Sequence, residues 1–201
     1  MTRSPLVAIL ATLCLCLTLM ACASTRVDTT GAALKQALCP VDAQKLSVLV
    51  FWGPQWRADQ KEPSRREAAA QRGIQDFFAN SGCMTGADIR RLDGERSAQV
   101  PADSQLLALA AVATPPADRV LIIVVRELGP TLAIGIPALV QGTTEVVMEL
   151  RVLNARTGDS MANLRTHWQN GGTFVVKGVQ TLDQDMSAAL RAALMSADVS
   201  Q

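Results

Sequence analysis

A thiol can carry lipid, pair with a second thiol or attack a substrate, and position sorts the five cysteines of this 201-residue chain among those uses. Cys14 and Cys16 lie inside an uncharged apolar run, Leu6 to Met20, and Cys22 stands just past its end. Cys39 and Cys83 are left in the body of the chain. The other reactive types do not converge. His167 is the sole histidine and falls on the polar side of an alternating segment, which suits an ordinary surface histidine better than a base or a zinc ligand. Glu145, Glu149 and Arg151 share one strand face, as in a solvated ladder of ion pairs. Lys177-Gly178 lacks the spacing of a phosphate loop, and no serine occupies a nucleophile elbow. The sequence therefore implies no enzyme, no metal and no cofactor.

The apolar run follows Arg3, is too short to span a bilayer, and has the length of a secretory core segment. It ends in Leu19-Met20-Ala21-Cys22, which resembles the lipobox cut by lipoprotein signal peptidase, although Met20 is large for its place. That chemistry needs the thiol, because diacylglycerol is attached to its sulfur before cleavage exposes the amine for a palmitate-type chain. The expectation is a signal peptide over 1–21 and a lipid anchor on Cys22. Ala21-Cys22-Ala23 also satisfies A-x-A, so cleavage after Ala23 to a soluble protein is the competing outcome. Ala23 is not the Asp that commonly retains lipoproteins in the inner membrane, which favours the periplasmic face of the outer membrane. In that oxidising compartment Cys39 and Cys83 are expected to pair.

Charge excludes one further class. The chain has 19 Lys+Arg and 18 Asp+Glu, and removing Arg3 with the leader balances them, so no basic surface is available for nucleic acid. Apolar residues make up 49% with no tyrosine, which implies an aliphatic core.

The elements that must position these groups follow from periodicity. Residues 22–38 read as a small, polar, lipidated tether, and 39–198 as one domain. Leu46 to Trp52 reads as a strand. Ser64-Arg65-Arg66-Glu67 reads as a capping box opening a helix with Ala70, Ile74, Phe77 and Phe78 inward, closed near Gly82. Residues 86–92 follow as a strand, and Asp103 caps a helix ending before Pro115. Arg119 to Val125 is a strand covered on both faces. Val146, Met148, Leu150 and Val152 alternate inward on the next strand, and Ala162, Leu164, Thr166 and Trp168 on its hairpin partner. Thr181 and Gln184 suggest a second capping box, opening the last helix. The order β-α-β-α-β-β-β-α implies a single α/β domain, a mixed sheet with helices packed against it.

This order, with the strand R-V-L-I-I-V-V and the turn L-N-A-R-T-G-D, resembles the superfamily containing the curli-secretion lipoprotein, the N-terminal domain of the Tol-system propeller protein and lipoprotein activators of penicillin-binding proteins. R-V-L-N-A-R-T-G and H-W-Q-N-G-G are similar to uncharacterised proteobacterial lipoproteins. The resemblance implies an envelope protein.

Leu128 to Thr144 contains no charge. Three readings are open: a membrane hairpin of the curli-pore kind, for which the stretch is barely too short, an apolar loop folded over the sheet edge, or a protein-contact loop. If the first, third and fifth predicted strands are parallel, Trp52, Trp56, Leu132, Ile134, Ile136, Trp168, Asn170, Gly171 and Gly172 gather at one carboxyl edge. They form either a binding edge or a plug on the core. The tether enters at the opposite end, near both paired cysteines, and a flexible tether of this length reaches about 20–25 Å. The loop is thereby expected to face away from the anchoring membrane, towards an envelope protein or a second copy. The functional expectation is a non-enzymatic binding or assembly module. The alternative is a small-molecule or lipid binder using the tryptophan-lined edge.

Overall fold

The computed structural model describes residues 23–39, 45–92, 101–135, 139–173 and 175–195. Among the described residues six strands and three α-helices occur in the order β1 (Ser24–Ala32), β2 (Leu46–Pro54), α1 (Pro63–Ala79), β3 (Met84–Arg91), α2 (Asp103–Ala111), β4 (Arg119–Gly135), β5 (Leu139–Asn154), β6 (Ser160–Thr173) and α3 (Leu182–Met195), with a 3-10 turn over Val179–Thr181 leading into α3. They build one mixed sheet in the order β1-β6-β5-β4-β2-β3. The α/β reading holds. So does the parallel relation of β2, β4 and β6: β2 pairs parallel with β4, while β5 runs antiparallel to both β4 and β6.

The central strand feeds two cores. Leu121, Ile123 and Val125 point to the face covered by α1 and α3, with Met148, Leu150 and Leu164 beside them. Val120, Ile122 and Val124 point to the other face, where Leu106 and Ala110 of α2 pack. Alternate residues of an extended chain face opposite ways, so a strand buried on both sides must be apolar throughout. The helices α1 and α3 approach closely at Gly73, where any Cβ would overlap the Asp183 carbonyl and Met186.

Four expectations are corrected. The segment read as a tether is β1 over Ser24–Ala32, paired antiparallel with β6 from Ser24↔Gly171 to Ala32↔Asn163. Every β1 residue is exposed, so no inward periodicity marked it; what suits it to a pleated edge is its β-branched Thr25, Val27, Thr29 and Thr30. Residues after it also belong to the domain: Leu34 and Leu38 are buried, and the Leu38 N–H donates to the Leu194 carbonyl. Neither capping box forms. Pro63 supplies the first helical position of α1 after Glu62 at φ 52, and the hydroxyl of Thr181, just before α3, donates to the Asp185 carboxylate. Asp103 lies inside the first turn of α2 and ion-pairs with Arg151 at 3.0 Å, leaving Ala102 in the cap position. Finally, the uncharged stretch is not a loop folded over the sheet. It is a two-stranded arm in which β4 and β5 stay paired out to Gly135↔Leu139.

The start of β2 and the end of α1 meet at the opposite end of the sheet. There the Leu46 N–H donates to the Cys83 carbonyl, and Cys83 bonds to Cys39 with their Cα atoms 5.7 Å apart. The bridge closes a loop of 44 residues, worth about 4 kcal/mol through restriction of the unfolded chain. Replacing both cysteines with Ala is expected to lower the unfolding free energy by up to that amount in urea titrations, without changing the fold. An unchanged midpoint would show the bridge to be idle.

Candidate functional site

The sheet register puts one end of the molecule in rows. Ser24 lies beside Gly171, Gly171 beside Thr143 and Thr143 beside Thr131. Beyond that row the arm continues through Leu132↔Gly142, Ala133↔Gln141, Ile134↔Val140 and Gly135↔Leu139, while β6 follows it only as far as Thr173↔Gln141. Leu132 is 61% exposed and Ile134 74%. Val176, on the segment leading to α3, is 83% exposed and joins this end because the Val175 N–H donates to the Gly172 carbonyl at 3.3 Å.

Three contacts hold the arm at its root. Arg66 of α1 is buried, donates through Nη1 to the Leu128 carbonyl and through Nε to the Lys61 carbonyl at 2.7 Å, and lies 4.0 Å from buried Glu127. Arg57 reaches the other Glu127 oxygen at 3.2 Å. Gly129 makes this possible, since a Cβ there would coincide with the Arg66 guanidinium. The hydroxyls of Thr131 and Thr143 bond across the two strands.

The predicted edge residues divide. Trp52 and Trp168 are 1% and 3% exposed within the core on the α1/α3 face, so they seal the core, Trp168 at the floor of a shallow cavity against α3. Trp56 is half-buried at the end of the sheet. Asn170 and the glycines serve architecture. The Asn170 amide donates to Thr25 at 2.8 Å and accepts from Lys177 at 2.7 Å, while Gly171 passes too close to the Thr143 backbone for any side chain. Leu132 and Ile134 are exposed on the arm; Ile136 and Cys22 lie outside the described residues. Val176 and Arg66 were missed. The signal for Val176 was the apolar run Phe174-Val175-Val176 set between glycines, whereas Arg66 looked like one more charge on a helix.

On the face opposite α1 and α3, beyond the reach of α2, a cleft of about 610 Å³ is lined by Trp56, Arg126, Glu145, Glu149 and Arg165 among others. Arg126 grips Glu149 with two bonds of 3.1 and 3.0 Å, and His167 Nε2 lies against a Glu145 carboxylate oxygen. Exposed pairs of this kind have the geometry of a solvated ion-pair ladder. Among the described residues no three His, Cys, Asp or Glu side chains are placed to hold a metal ion.

No protein-family model matches the chain, and no curated protein matches it in sequence. Several solved structures are similar to it. A PelC dodecamer variant from Paraburkholderia phytofirmans is 14% identical over 87% of this chain and 100% of that one, with a TM-score of 0.42. The hypothetical protein CT253 from Chlamydia trachomatis is 13% identical over 76% and 92%, with a TM-score of 0.45. The lipoprotein GNA1162 from Neisseria meningitidis is 14% identical over 73% and 96%, with a TM-score of 0.39.

The arm root yields a measurable consequence. Arg66→Met removes both carbonyl bonds and a partner of buried Glu127, and is expected to destabilise the domain by about 2–3 kcal/mol. Hydrogen exchange should accelerate most over 128–134. Acceleration spread evenly over the sheet would contradict a local role for Arg66.

Proposed function

We propose that the chain is a lipid-anchored, non-enzymatic module of the cell envelope that binds through the β4–β5 arm. Its anchor is diacylglycerol on Cys22, and its place is the periplasmic face of the outer membrane. The observation that carries the reading is the exposure of Leu132 and Ile134 on an arm with no charged side chain from Leu128 to Thr144. Apolar side chains that gather at one place on a surface, as Leu132, Ile134 and Val176 do at this end, mark a contact site, whereas single ones do not. The rest of the molecule supports it. In the charged cleft Arg126 is held by Glu149 and His167 by Glu145, and two of the three tryptophans, Trp52 and Trp168, are buried in the core.

A second reading, self-association, draws on the sheet itself. Among the described residues the sheet ends in β1 and β3, whose outer edges are free to pair with a strand of another copy. The arms of adjacent copies would then stand side by side.

Two measurements test the proposal. Mass spectrometry of the mature chain is expected to find an acylated N-terminus at Cys22; an unmodified chain beginning at Ser24 contradicts the anchor. Leu132→Ser with Ile134→Ser is expected to keep the fold and the Cys39–Cys83 bridge, because exposed positions contribute within about 0.5 kcal/mol. It should abolish photo-crosslinks formed in intact cells from a probe at Thr131. If the double variant unfolds, the arm belongs to the core; if it folds and retains every crosslink, the arm is not the contact.

A further inference from the structure

We infer that the occupant of the arm is the bilayer that holds the anchor: the tip of β4 and β5 enters the headgroup and upper acyl region beside the lipid on Cys22. This rests on the lipid anchor and the arm contact proposed above, and it reverses the orientation expected from the sequence. A tether entering at the foot of β2 would have put the arm at the far end. Instead β1 carries the chain along the full length of β6, so Ser24 lies in the Gly171–Thr143–Thr131 row at the arm's root.

Distances along the strands decide the geometry. Cys22 precedes Ser24 by two residues and can stand at most about 7 Å beyond that row. The arm continues for four residue pairs past the same row, about 13 Å at the rise of a strand. A membrane surface at the level of Cys22 therefore meets the arm before the anchor is stretched, and the tip overshoots by about 6 Å. That overshoot matches the depth of about 5–10 Å at which apolar side chains of peripheral proteins settle.

The chemistry of the end agrees. Leu132, Ile134 and Val176 are three of the six large apolar side chains exposed among the described residues. Lys177, held by Asn170, stands behind them and can meet lipid phosphate. The register of one chain favours dipping over crossing, since only four residue pairs extend past the row. A transmembrane strand needs about nine to eleven residues, and the outer backbone edge of a two-stranded arm would be left without partners in hydrocarbon. The arm dips and does not cross.

The test uses the full acylated chain, with acylation at Cys22 checked by mass spectrometry, in vesicles of phosphatidylethanolamine and phosphatidylglycerol. An environment-sensitive fluorophore is placed at Ile134→Cys, separately at Leu132→Cys, and at Thr157→Cys in the β5–β6 turn as a control. The two arm labels are expected to be quenched by lipids bearing nitroxide near the headgroup, and to be about tenfold less accessible to aqueous iodide than the label at 157. Arm labels as accessible to iodide as the control, on an acylated and folded chain, overturn the bilayer assignment. If those same labels become shielded with rising protein concentration in detergent, the occupant is a second copy: the bilayer assignment fails while the arm remains the contact. An unacylated chain overturns the anchor and with it the bilayer assignment, and leaves the arm contact to the crosslinking test.

Discussion

The antiparallel pairing of β1 with β6 is the interaction on which the arrangement of the molecule depends. Nine residues register against β6, from Ser24 at one end of the sheet to Ala32 at the other. Each backbone bond is modest after exchange with water, about 1 kcal/mol, yet a ladder of them fixes direction absolutely. Without it the chain before Leu34 would be a flexible leash that allowed any orientation at the membrane. With it, the point where lipid would attach is bound to the row of residues from which the arm projects. The Asn170 amide, bonded to both Thr25 and Lys177, ties β1 and the Val176 segment into that same end.

A second constraint keeps the arm stiff enough to matter. An isolated two-stranded ribbon is marginal in water. This one grows out of the most deeply covered strands of the sheet and is gripped at its root by Arg66 through the Leu128 carbonyl, with Gly129 leaving the guanidinium its place. Buried Glu127 faces buried Arg66 at 4.0 Å and the exposed Arg57 at 3.2 Å, so its charge is balanced from both sides of the root. At the opposite end the Cys39–Cys83 bond staples the return of the chain to the start of β2. The working end is thus tied to the scaffold and the stapled end lies away from it.

Much of this was legible in the residues. The both-faces-apolar pattern of Arg119 to Val125 and the strict alternation from Val146 to Val152 gave the centre of the sheet, because burial is what writes those periods. The cysteine pair followed from topology. What stayed hidden was written in other terms. β1 buries none of its residues, so hydropathy is silent on it, and only its β-branched composition hints at an extended chain. The tryptophans were ambiguous because large aromatic side chains serve cores and interfaces alike; burial of Trp52 and Trp168 resolved them as core. The arm was visible as an uncharged stretch, but its direction relative to the anchor depended on the one strand that the sequence concealed.

The direction of β1 is therefore the claim to measure. Spin labels on the purified full chain at positions 23 and 133, and separately at 23 and 157, give two distances in one protein. Residues 143 and 154 of β5 are about 36 Å apart along the strand, and Thr143 lies in the same row as Ser24. The account predicts a short 23–133 distance and a 23–157 distance longer by a large fraction of that length. The reverse order, or a broad distribution for both pairs, would mean that β1 does not hold the chain along β6 and that anchor and arm are not on the same end.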